Sequence, residues 1–182
     1  GTLGFDGVVA FDGDGDYLSI ADHPDLEFGS GDFTIECFLY PTGIPQGTYG
    51  AIFTKGFPLQ SYYMSTNSIS IYASTAASGS YNIIQNANAT GTNSVPLCRW
   101  THYALCRSGN TWKIFINGNE LFSATGSGTI ADTTQPFGIG DYSQTPGTYE
   151  FQGFISNFRV VKGTALYTSN FTAPTEPLTN VT

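Results

Sequence analysis

The stretch Thr111-Trp112-Lys113-Ile114-Phe115-Ile116-Asn117-Gly118-Asn119-Glu120-Leu121-Phe122-Ser123-Ala124 decides the fold. Asn-Gly between two apolar runs is the strongest short hairpin signal a sequence offers, because both residues accept positive φ and the turn twists with its strands. Upstream, Trp100-Thr101-His102-Tyr103-Ala104-Leu105-Cys106-Arg107 leads into the turn residues Ser108-Gly109-Asn110. Residues 100–124 therefore predict a three-strand meander.

Working outward, Asp32-Phe33-Thr34-Ile35-Glu36-Cys37-Phe38-Leu39-Tyr40 alternates strictly, with Phe33, Ile35, Cys37 and Leu39 on one face and Thr34, Glu36, Phe38 and Tyr40 on the other. Further strands are expected over 8–11, 17–20, 49–54, 61–65, 68–73, 81–86, 137–140 and 150–162, and a single helical turn over 26–31. The 22 Gly and 9 Pro punctuate these short segments and leave no room for long helices. About a dozen short strands without helices predict an all-β fold, two packed antiparallel sheets forming a sandwich. Phe33, Phe38, Trp100, Phe115, Phe151, Phe154 and Phe158 are the expected core aromatics. Residues 1–171 read as one domain, and the Thr/Pro-rich 172–182 as a strap or connector.

The 182 residues include 14 acids, only 6 Lys or Arg, 14 Phe, 11 Tyr and 2 Trp, for a formal charge of -8. Six basic side chains cannot build the phosphate-neutralising stripe that nucleic-acid binding needs. No apolar run approaches the roughly 20 residues of a membrane helix. Cys37, Cys98 and Cys106 are odd in number, so at least one thiol is unpaired, which points to folding in a reducing cytoplasm. Buried small hydrophobes are the plainer role for them.

Nine of the 14 acids fall between Asp6 and Glu36, densest at Asp12-Gly13-Asp14-Gly15-Asp16. Alternate Asp with Gly could wrap a hard cation such as Ca²⁺, although His23 stands where an EF-hand loop would carry its closing Glu, and a hairpin turn accounts for the same residues. Tyr49, Tyr62, Tyr63, Tyr142 and Tyr149, in low-charge loops beside Asn and Gln, are candidate sugar-stacking residues. Glu36 and Arg159 are expected to pair between strands. No nucleophile elbow and no phosphate loop is present.

The ordered series Phe11-Asp12-Gly13, Asp16-Tyr17-Leu18-Ser19-Ile20, Phe33-Thr34-Ile35-Glu36, Trp100 to Leu105, Phe115-Ile116-Asn117-Gly118, Ile139-Gly140 and Phe151 to Val160 resembles laminin-G-like domains of the concanavalin A-like lectin/glucanase superfamily. The closing residues 159–174 are similar to the ends of such domains in bacteriophage tail-fibre and virion appendage proteins. The resemblance implies a jelly-roll sandwich with a non-catalytic recognition or adhesion role, displayed extracellularly or on a virion surface and binding cell-surface glycan. A structural spacer contacting other virion proteins, or its own copies in an oligomer, is the alternative, and a carbohydrate-active enzyme the third. The Glu-x-Asp-x-x-Glu catalytic pattern of the superfamily's glucanases is not matched. Relatives that hold calcium near strand ends add Asp141 to Asp12, Asp14 and Asp16 as candidate ligands.

Overall fold

A computed structural model describes residues 7–43, 49–64, 67–85 and 95–181. These residues form eleven strands: β1 (Val8–Asp12), β2 (Leu18–Ile20), β3 (Phe33–Pro41), β4 (Tyr49–Lys55), β5 (Leu59–Met64), β6 (Ile69–Ala73), β7 (Thr101–Ser108), β8 (Thr111–Ile116), β9 (Asn119–Thr125), β10 (Phe137–Ile139) and β11 (Gln152–Lys162). One sheet has six strands in the order β1-β11-β3-β7-β8-β9, the other five in the order β2-β10-β4-β5-β6, and every pairing is antiparallel. Among the described residues no helix is long and apolar enough to cross a membrane.

The alternation in β3 does what its period of two requires. Phe33, Ile35, Cys37 and Leu39 face inward and share one core with Tyr103, Leu105, Trp112 and Ile114 of the same sheet and Phe53, Leu59, Tyr63, Ile69, Ile71 and Phe137 of the other. Trp112 satisfies its buried indole N–H on Gly126 O at 2.9 Å. Arg107 lies 5.1 Å over the Trp112 ring and donates to the carbonyls of Gly29, Gly109 and Gly128. A buried cation is thus matched by backbone dipoles and an aromatic face, with the Asp32 charge nearby.

The opposite face of the six-stranded sheet is covered by the chain's own end. Ala165, Tyr167 and Phe171 pack on Ala104, Cys106 and Phe115, with the Tyr167 and Phe171 rings stacked at 3.6 Å. Polar fastenings run the length of this strap: Thr34 Oγ1 donates to Thr164 O, Phe171 N–H to Gly118 O, Leu178 N–H to Asn157 Oδ1, and Arg159 to Thr179 O. The hairpin residues Asn117 and Gly118 have φ of 49° and 78°, as the Asn-Gly signal requires. A Cβ on Gly118 would overlap the Phe171 carbonyl. Gly118→Ala is therefore expected to loosen the strap at a cost of about 1–2 kcal/mol, read as faster proteolytic cleavage within 164–181 while the core strands stay protected from hydrogen exchange.

Several expectations need correction. Residues 81–85 contribute an isolated bridge, Ala73 with Ile84, and no strand; residues 65 and 86, expected at strand ends, lie outside the described residues. The helical turn is a 3-10 turn at Pro24–Leu26, earlier than 26–31, begun by Pro24 and capped by the His23 ring nitrogen. Phe158 is only partly buried against the core, while Trp100 and Phe154 sit half-buried beside Tyr40 on the outer face of the six-stranded sheet. Cys37 and Cys106 are buried free thiols and Cys98 an exposed one. Burial pushes the Cys37 thiol well up and the Cys106 thiol to about 11.

Candidate functional site

The five-stranded sheet also has an outer face, and its composition is unusual. In register, Ala51 of β4, Tyr62 of β5 and Ser70 of β6 lie side by side, flanked by Tyr49 opposite Met64 and by Gln60 opposite Tyr72. The small Ala51 and Ser70 leave space on both sides of Tyr62, and loops supply Tyr81, Tyr142 and Tyr149 above the sheet. The result is a groove of about 220 Å³ lined by Tyr49, Gln60, Tyr62, Tyr72, Tyr81 and Tyr149.

The rings hold one another in tilted and edge-to-face contacts. Centroid separations are 5.2 Å for Tyr49 and Tyr62, 5.3 Å for Tyr49 and Tyr149, 5.6 Å for Tyr62 and Tyr149, and 4.6 Å for Tyr72 and Tyr81. Phe57 stacks on the far side of Tyr81 at 4.3 Å. Gln60 organises the hydroxyls. Its amide nitrogen donates to Gly56 O and Phe57 O, which fixes the amide orientation, and its oxygen accepts from Tyr62 Oη at 2.7 Å and Tyr81 Oη at 3.0 Å. Tyr49 and Tyr72 share a hydroxyl–hydroxyl bond of 3.3 Å. Burial pushes the Tyr62, Tyr72 and Tyr142 phenols up and Tyr81 to about 12, so these four stay neutral at physiological pH.

Exposure separates two roles. Tyr62, 3% exposed, is floor; Tyr149, 40% exposed, is wall. Tyr149 has φ of 64°, a left-handed conformation that a bulky side chain adopts at a cost, and its carbonyl accepts from Ala51 N–H at 2.6 Å. Asp141 shapes the loop that carries it. Its buried carboxylate accepts from the N–H groups of Tyr142 at 2.5 Å and Gly147 at 2.6 Å, and burial, only partly offset by those amides, raises its pKa. Tyr149→Gly would remove a ring and also a strained backbone, two effects of about 1–2 kcal/mol and opposite sign. A melting temperature within a few degrees of the parent is the expected result, with thermal denaturation as the check.

Of the five tyrosines singled out from sequence, Tyr49, Tyr62 and Tyr149 line the groove and Tyr142 stands next to it, its ring 5.8 Å from Tyr149. Tyr49 and Tyr62 lie on strands and not in loops. Tyr63 is a correction: fully buried between the sheets, it bonds Asn67 Oδ1 and takes no part in the groove. Consecutive strand residues point to opposite faces, so the Tyr62-Tyr63 pair itself signalled that only one could be there. Tyr72, Tyr81 and Gln60 were missed, although Tyr72 falls on the same alternation as Ser70 in β6.

Asp12 Oδ1 accepts from Asp14 N–H and Asp16 Oδ2 from Asp12 N–H, so these acids cap amides of their own turn, and Glu150 Oε1, from a distant part of the chain, accepts from Gly15 N–H. Asp141 spends its oxygens in a different loop. Among the described residues no group of three or more His, Cys, Asp or Glu side chains is placed to hold a metal ion. In this arrangement Asp12, Asp14, Asp16 and Asp141 do not fit a calcium site. They do make an acidic neighbour for the groove: Asp12, Asp14 and Glu150 line a cleft of about 330 Å³ that shares Tyr149 with it.

Glu36 is withdrawn from solvent. Its Oε1 is held by Arg159 Nε at 2.9 Å and Nη2 at 2.6 Å, and its Oε2 by His102 Nε2 at 3.0 Å and Tyr167 Oη at 3.0 Å, beneath the strap. The expected pair with Arg159 is present, within a larger network. With both oxygens occupied, this carboxylate is arranged to hold the strap and not to exchange protons with a substrate.

Two antiparallel sheets face to face, one roofed by its own terminus and the other bearing an aromatic groove, define a concanavalin A-type sandwich. The chain belongs to the concanavalin A-like lectin/glucanases superfamily, whose laminin G pattern matches residues 12–167. No curated protein sequence matches it. Among solved structures it is similar to the carbohydrate-binding module of the Ruminococcus gnavus IT-sialidase bound to α2,3-sialyllactose (TM-score 0.64, 15% identity, covering 92% of this chain and 95% of that one). It is also similar to the binding domain of Paraclostridial Mosquitocidal Protein 1 (TM-score 0.65, 13% identity, 91% and 42%) and to mouse laminin α1 domains LG4-5 (TM-score 0.56, 15% identity, 92% and 46%). The chain thus spans less than half the length of these last two, and at such identities the likeness is one of fold.

Proposed function

We propose that this chain is a non-catalytic glycan-binding module whose site is the tyrosine groove on the five-stranded sheet. The carrying observation is that groove itself: mutually braced aromatic rings with hydroxyls oriented by one amide, the combination that sugar C–H faces and hydroxyls require. Rings with two torsions each, already packed, lose little entropy on binding. The carbohydrate-binding module of similar fold supports the reading. So does the occupied state of Glu36, which leaves that acid no catalytic work. The likeness of residues 159–174 to the ends of virion-appendage domains supports display on a phage appendage or a secreted protein, where weak single-site affinity is raised by multivalency. A glycan array with the isolated domain tests this: competable binding to particular glycans is expected, and an empty array would overturn it.

A second reading, a spacer making protein contacts in a larger assembly, is favoured by one observation. Val8, Tyr40, Trp100 and Phe154 line an apolar depression on the outer face of the other sheet. A domain that bound no glycan but was held in an assembled particle through that face would establish the spacer.

A further inference from the structure

We infer that the tyrosine groove selects uncharged glycans and excludes sialylated, uronate-bearing and sulfated ones. This rests on the glycan-binding reading and goes on to name its ligand class. The first ground is an inventory of cations. The chain has only 6 Lys and Arg, and none of them lines the groove. Lys55 is buried against Asp22 and Glu27 at 2.6 and 2.9 Å. Arg107 is buried among backbone carbonyls, Lys113 pairs with Glu120 and Arg159 with Glu36. Lys162 donates to Pro24 O. Arg99 follows Cys98, whose N–H bonds Pro41 O at the end of β3 in the other sheet. Among the described residues no Lys or Arg lines the groove to pair with a carboxylate or sulfate, and a charge moved into a partly buried site without a partner loses hydration that nothing replaces.

The second ground is the direction of the hydrogen bonds. The Tyr62 and Tyr81 hydroxyls spend their hydrogens on Gln60 Oε1, Tyr142 spends its own on Gln144 Oε1, and both Gln60 amide hydrogens go to backbone carbonyls. What these groups still offer is oxygen lone pairs. Lone pairs suit ligands that donate, as sugar hydroxyls and N-acetyl N–H groups do, and oppose carboxylates and sulfates, which only accept. Burial and neighbouring phenols, which raise the Tyr62 and Tyr81 pKa values, penalise any other negative charge at the same spot. The third ground is the flank, where Asp12, Asp14 and Glu150 share Tyr149 with the groove and repel an approaching anion.

The test is a matched-pair titration by calorimetry at low salt, using neutral oligosaccharides that bind on the array and the same oligosaccharides carrying sialic acid, hexuronate or sulfate. The charged members are expected to bind on the order of a hundredfold more weakly, with part of the loss recovered at high salt through screening. Gln144→Arg, which places a guanidinium beside Tyr142 and frees the Tyr142 hydroxyl to donate, is expected to strengthen binding of the charged members about tenfold relative to their neutral partners. Charged members that bind as tightly as their neutral partners, in a manner abolished by Tyr81→Ala together with Tyr149→Gly, would overturn the selectivity and leave the site standing. Binding that survives that double change would overturn the groove as the site, and the selectivity with it.

Discussion

Glu36→Ala is expected to destabilise the domain by about 3–5 kcal/mol, the usual cost of removing one partner from a buried ion pair. The side chain is fully buried, and its four hydrogen bonds join β3 to β7 through His102, to β11 through Arg159 and to the strap through Tyr167. Its loss leaves the His102 ring nitrogen, the Arg159 guanidinium and the Tyr167 hydroxyl without their acceptor under the strap. The pH dependence follows from the same contacts. Burial would push the Glu36 carboxyl up, but hydrogen bonds from His102 and Arg159 and the charge of Arg159 outweigh it and hold the group below its ordinary 4.5. A depressed folded pKa means stability fully present above the ordinary value and lost as pH falls through the folded one. Urea denaturation should therefore show stability declining below about pH 4.5. Glu36→Gln, which keeps the shape and loses the charge, should flatten that decline. A Glu36→Ala protein within 1 kcal/mol of the parent would show that the network does not hold the strap.

Removing the walls of the groove, Tyr81→Ala with Tyr149→Gly, is expected to abolish glycan binding while the fold persists. Both rings wall the groove, and loss of a central aromatic contact typically costs 2 kcal/mol or more, so two together predict at least about a hundredfold weaker binding. Tyr81 is half-buried between Phe57 and Tyr72, and Tyr149 is the most exposed ring of the groove. Neither touches the core between the sheets, which is why both can go. Tyr62→Phe is the contrasting change. It keeps the floor and frees one lone pair of Gln60 Oε1, so binding should weaken by no more than about tenfold. Array signal for the double variant equal to that of the parent would place the site elsewhere.

The fold was legible because its signals are local. Alternation in β3 assigned every residue to its face, and Asn117-Gly118 turned where such a pair must. What alternation could not say is what covers the second face. Tyr167 and Phe171 roof Ala104, Cys106 and Phe115, yet Tyr40, Trp100 and Phe154, on the same side of the sheet, are left half-covered. Trp100 and Phe154, which the sequence places in the core, therefore sit half-buried on that outer face. The groove was half-legible for a related reason. Tyr72 meets Tyr62 through the register of β5 on β6, and Tyr81 is delivered by a loop whose path is a tertiary matter. The acids between residues 12 and 16 suggested a cation because spacing shows how close carboxylates stand, not which amides they will cap.

Glycan binding at the tyrosine face of the five-stranded sheet can be observed by an NMR titration of the labelled domain with a neutral oligosaccharide, following aromatic ring and backbone amide resonances. Saturable shifts are expected, confined to Tyr49, Tyr72, Tyr81, Tyr149 and their neighbours, with Tyr40, Trp100 and Phe154 unmoved. Shifts centred on Trp100 and Phe154, with the tyrosine face silent, would contradict it.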